Sequence, residues 1–141
     1  MMIDEQETVN PYSGNFILEQ LQRFGSDLNC KHEMTFWLYF PNKDSAEQAA
    51  HRAKKAGLKP KVSPPLKNSP CSEWLCLLYC PHIPDETILD GISEFCTQLA
   101  TEFNGEYDGW EAKLELEEDQ NPVLSFKKRS NNNNDKNFSI D

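Results

Sequence analysis

No apolar run in this chain approaches the roughly 20 residues that a membrane-spanning helix needs. No stretch carries the Gly-x4-Gly-Lys-Ser/Thr or Gly-x-Gly-x-x-Gly pattern that cradles phosphates, and the 141 residues include only 6 glycines. Basic residues are few, 14 against 23 acidic, for a net charge of −9. Phosphate backbones repel such a chain, so direct nucleic-acid binding is not expected. The histidines, His32, His51 and His82, stand near no Ser or Cys nucleophile motif, so no catalytic residue is assigned and no cofactor is expected. The N-terminus, Met-Met-Ile-Asp-Glu-Gln-Glu, lacks the basic and apolar regions of an export signal. The expected location is the cytoplasm. With no export signal and an odd cysteine count of 5, a disulfide framework is not expected either.

What is present suits one domain with one modest core: 38% hydrophobic and 26% charged residues. Residues 1–12 read as a flexible start, 13–120 as the folded domain, and 121–141 as a disordered polar tail with Lys127-Lys128-Arg129 and an Asn run.

Phe16, Ile17, Leu21 and Phe24 have helical spacing over residues 15–24, and Gly25-Ser26-Asp27 ends that helix. Residues 32–40 alternate as a strand with aromatics on both faces, so it should be central. Asp44 is the expected N-cap of an Ala-faced helix that stops at Gly57. Residues 58–62 form a short strand that Pro60, Pro64 and Pro65 confine to a sheet edge. Residues 73–80 form a nearly all-apolar central strand. Asp85 opens a helix of about 20 residues with Ile88, Leu89, Ile92, Phe95, Cys96, Leu99 and Phe103 on one face. Residues 107–117 alternate cleanly, with Trp110, Ala112, Leu114 and Leu116 on one side, as expected of an edge strand with a wet face.

The order is a helix followed by β-α-β-β-α-β. Right-handed crossovers then give an α+β, ferredoxin-like sandwich: a four-stranded antiparallel sheet in the order 4-1-3-2, helices on one face, and an extra N-terminal helix.

Charge is concentrated. Residues 85–119 carry twelve carboxylates and one base, Lys113, for a net −11; the remainder of the chain is +2. The last helix and strand should present a negative surface, with Asp90, Glu94, Asp108, Glu111 and Glu115 as candidate contacts for a basic protein segment. Its bland counterpart is a solvated face that keeps an edge from aggregating.

Two further patterns have weaker warrants. Cys71-x4-Cys76-x3-Cys80-x-His82 has the wrong spacing for a zinc knuckle and reads as buried thiols, with Cys71 the most exposed; no metal is expected. Trp37 and Tyr39 share the sheet face opposite the helices, where aromatics stack bases in RNA-recognition modules. The basic, aromatic pattern of those modules is missing, so the N-terminal helix or a second subunit is expected to cover the face. A homo-oligomer is left open.

The leading helix ending in Gly25-Ser26-Asp27, the helix ending in Ala56-Gly57-Leu58, and Tyr107-Asp108-Gly109-Trp110 occur in order. Together they resemble the RraB family of ribonuclease E inhibitors over residues 16–116. The resemblance implies a non-enzymatic regulator with a ferredoxin-like fold. Such a protein binds ribonuclease E at its non-catalytic scaffold, lowers its cleavage of transcripts and alters the degradosome. Well-known members have glycine after the Trp, where this chain has Glu111. They also end in a long Asp/Glu tail, where this chain ends in Lys and Asn. If that tail serves docking, this chain must use its 85–119 surface instead, or another basic partner.

Overall fold

The computed structural model describes residues 10–117, 122–130 and 138–140. Residues 1–9 of the expected flexible start, part of the acidic segment (Glu118 and Asp119), and the Asn run lie outside the described residues.

Among the described residues, three α-helices form where the caps allow. Ser13 Oγ accepts the Phe16 N–H at 3.1 Å and opens α1 (Gly14–Arg23). Asn42, rather than the expected Asp44, caps α2 (Lys43–Lys55) by accepting the Ser45 N–H at 2.9 Å. Asp44 lies inside the first turn and binds the Gln48 side chain instead. Asp85 caps α3 (Glu86–Glu102) as expected, from the Ile88 N–H at 3.0 Å. Gly25 and Gly57 follow α1 and α2 at φ 84° and 97°, the left-handed geometry that releases a chain from a helix.

The strands are β1 (Met34–Phe40), β2 (Lys59–Ser63), β3 (Trp74–Tyr79), β4 (Glu106–Lys113), β5 (Val123–Lys127) and a three-residue β6 (Phe138–Ile140). They form one sheet in the order β2-β3-β1-β4-β5-β6, with every pairing antiparallel. The first four strands keep the expected relative order. Two expectations are corrected: the sheet has more than four strands, and β4 is interior rather than an edge. Residues 123–130, assigned from sequence to a disordered tail, supply β5 and a 3-10 turn at Lys128–Ser130. The physical reason is visible in the residues. Leu124 and Phe126 alternate with polar neighbours, and both enter the core beside Ala112 and Trp110. A five-residue strand inside a polar stretch has too little apolar length to stand out.

The core lies between the sheet and the helices. Met34, Phe36, Leu38 and Phe40 are at most 1% exposed and meet Ala46, Ala49, Ala53, Leu89, Cys96 and Leu99 in one cluster. The alanines let α2 approach the sheet closely. Helix α1 does not cover the opposite face as expected. It packs against α3, where Ile17 and Leu21 join the same core. At that contact a Cβ on Gly14 would overlap the backbone carbonyl of Glu86.

Candidate functional site

Tyr107-Asp108-Gly109-Trp110 is where both ends of the folded chain are tied down. The β1–β4 register jumps from Trp37↔Gly109 to Leu38↔Tyr107, so Asp108 is the extra residue of a β-bulge. Tyr107 is buried and stacks its ring on Tyr12 at 4.6 Å. The Asp108 carbonyl accepts the Tyr12 hydroxyl at 3.1 Å, and the Asp108 carboxylate accepts the Arg129 backbone N–H at 3.0 Å. A Cβ on Gly109 would overlap the Phe126 carbonyl oxygen, so glycine is required here for close backbone approach and not for a left-handed φ. Trp110 is fully buried and donates its indole N–H to the Pro11 carbonyl at 2.8 Å. Pro11 and Tyr12 therefore belong to the fold, in contrast to the expected flexible stretch up to residue 12.

The candidate contact residues do not share one surface. Asp90 and Glu94 are exposed on α3 and line a groove of about 610 Å³ with Asn10, Thr97, Glu106 and Lys128. Asp90 also accepts the Gly14 N–H at 2.6 Å, which ties α1 to α3. Glu111 projects from the opposite sheet face and pairs with Lys127 at 3.1 Å. Glu115 lies beyond β4 in a small hollow with Asp27 and Cys30. Asp108 is interior, at 1% exposure, and burial raises its carboxyl pKa above the usual carboxylate range, against the lowering effect of the Arg129 N–H. A bulge in β4 and the alternation of strand side chains account for this scattering.

Sequence reading missed the basic segment after β5. Lys127 lies 3.6 Å from the Trp37 ring centre and beside Glu111. Lys128 lies 6.0 Å from the Tyr12 ring centre and 3.7 Å from Glu106. Arg129 lies 3.8 Å from the Tyr39 ring centre and bridges Glu73 at 2.8 Å and Glu106 at 2.6 Å. Partial burial lowers the Arg129 pKa, but its hydrogen bonds to Glu73 and Glu106 outweigh that and raise it overall. The Arg129 bond holds Glu73 below the usual glutamate range. Cations therefore sit on Trp37 and Tyr39 where a base would stack.

The cysteine pattern does not converge. Cys71 is exposed, as expected, and so is Cys30, while Cys76 and Cys96 are buried. Burial pushes the Cys76 thiol up to about 12. Among the described residues, no group of three or more His, Cys, Asp or Glu side chains is placed to hold a metal ion. His32 is fully buried; its Nε2 meets Ser26 Oγ at 2.6 Å and its Nδ1 meets the Cys30 carbonyl at 2.9 Å. Ser26 Oγ also accepts the Glu115 N–H at 2.7 Å. All three groups are satisfied internally, which makes this Ser–His pair a strut between the 26–32 loop and the end of β4.

Residues 13–112 match the family model described as regulator of ribonuclease activity B. The chain belongs to that family. No curated protein matches it individually. The match ends at Ala112, inside β4, so β5 and the basic segment lie beyond the matched residues. Among the described residues, no helix is long and apolar enough to cross a membrane.

Proposed function

We propose that this protein is a non-catalytic regulator that binds a ribonuclease E-type endoribonuclease through a basic segment of that enzyme and lowers its cleavage of RNA. The family match over residues 13–112 carries this reading. The groove at Asp90, Glu94 and Glu106 supports a basic partner, because it gathers three carboxylates against one lysine. The signature residues act as fold anchors, which suits a binding protein whose chemistry lies in its surface. The order β2-β3-β1-β4, with α2 and α3 as crossovers, supports a ferredoxin-like core. A cytoplasmic place of action follows from the partner.

The test is an RNA-cleavage assay with a purified ribonuclease E-type enzyme and increasing amounts of this protein. The initial rate should fall with binding, and Glu94→Lys should raise the half-inhibitory concentration about tenfold, on the scale of one lost charge contact. Glu94 is preferred to Asp90 as the altered position because Asp90 also holds α1. An unchanged half-inhibitory concentration would reject the groove. Absence of both binding and inhibition by the wild type would reject the function.

A further inference from the structure

The sheet face opposite the helices carries half-buried Trp37, Tyr39 and Leu75, although no described helix packs on it. Beside them, the loop after β2 walls off a pocket of about 480 Å³, with Leu66 at its rim, 81% exposed. Over this face lie Lys127, on Trp37, and Arg129, on Tyr39, while Lys128 turns to the α3 groove beside Tyr12. Each cation has both an aromatic ring within 6.0 Å and a carboxylate within hydrogen-bonding or ion-pair reach.

Three features mark the side-chain contacts of this segment as separable, while its backbone stays anchored by the Arg129 N–H on Asp108. The basic segment begins at the last residue of a five-residue strand beyond the matched residues 13–112. Its ion pairs are partly exposed, and solvent weakens such pairs. The Trp37 indole N–H is shut off from solvent and has no acceptor among the described residues. An unsatisfied buried donor penalises the closed state.

We infer that this face is a receptor for a basic, extended segment of a protein partner, and that the chain's own Lys127 and Arg129 occupy it as an internal competitor. The inference deepens the proposed function and rests on that reading for the identity of the partner. A competing segment would place cations against Glu111, Glu106 and Glu73 and apolar groups against Leu66. Glu106 joins this face to the groove on α3, since it lines the groove and also binds Arg129. Apparent affinity for any outside segment is then reduced by the fraction of molecules in which the internal one is bound.

The experiment measures binding of a labelled nonapeptide of three Lys-Lys-Arg repeats to the full chain by fluorescence anisotropy. Affinity should rise at least tenfold in Lys127→Gln/Arg129→Gln. It should return to the wild-type value or below when Glu73→Gln and Glu106→Gln are added. Lys54→Gln/Lys55→Gln, which removes the same charge from the exposed end of α2, should change affinity less than twofold. An unchanged affinity in the first variant overturns the inference, as does an equal rise in the α2 variant. If the double variant does not unfold cooperatively, Arg129→Gln alone should show a rise of about threefold, and no rise there overturns it. A released peptide site with no ribonuclease inhibition would sink the proposed function and leave the receptor standing. Inhibition by the wild type with no effect of the basic segment on peptide binding would do the reverse.

Discussion

Trp110 has no exposed surface, and its indole N–H already has a partner in the Pro11 carbonyl. Removing it leaves a large cavity in the core and takes away the donor to the Pro11 carbonyl. Trp110→Ala should therefore lower unfolding free energy by about 3–5 kcal/mol in a urea titration. A loss under about 1 kcal/mol would mean that the ring is dispensable to packing and its role lies elsewhere. The cysteines divide by burial. A thiol reagent applied to the native protein at neutral pH should label Cys30 and Cys71 and spare Cys76 and Cys96, because only an exposed thiolate reacts and burial pushes Cys76 up to about 12. Rapid labelling of Cys76 would show that β3 opens readily. At this scale sequence identified Trp110 and Cys71 correctly from alternation and loop position. It could not show why Gly109 is glycine, because the group that would collide with a side chain, the Phe126 carbonyl, comes from a strand 17 residues further on.

Elements α1, α2, α3, β1 and β4 were legible because each repeats apolar residues at its own period over several turns or pleats, β3 from its nearly continuous apolar run, and β2 from the prolines that confine it. Strand β5 was not, because its apolar pair is brief and its neighbours are polar. The clamp that follows β5 has a pH signature. Arg129 lowers Glu73, so that contribution to stability is present above the ordinary glutamate value of 4.5 and is lost as pH falls through the lowered one. Asp108, raised by burial, runs the other way: its contribution is present below the ordinary value and is lost as pH rises through the raised one. The Arg129 guanidinium proton signals in NMR should accordingly persist at pH 4.5 and broaden only in more acid solution. Glu73→Gln should shift that onset upward. An onset unchanged by the substitution would remove Glu73 from the clamp.

For the whole molecule, net charge misleads. The 85–119 segment is strongly negative in sequence, yet Arg52 covers Glu102, Lys127 covers Glu111, and Lys128 and Arg129 cover Glu106. The α3 groove, with Asp90 and Glu94, stays open, so the negative surface is broken into smaller patches rather than one whole side. Electrostatic steering toward it should still be measurable. The association rate with a basic ribonuclease segment should fall by about tenfold or more between 20 and 200 mM salt, while dissociation changes less. A salt-independent association rate would exclude steering by this surface.

The chain's residues by themselves determined the helix and strand types, their order, the main core face and the family resemblance. All of these follow from short-range periodicity, caps and turns. Only the tertiary structure decided which carboxylates are surface and which are interior, because a single bulge at Asp108 reorients the residues around it. It alone also decided what covers Trp37 and Tyr39. Cations from residues 127–129 do so, drawn across the sheet by charges that lie 16 to 56 residues away in the chain. Pairing over that distance depends on strand order and register, which no local pattern encodes.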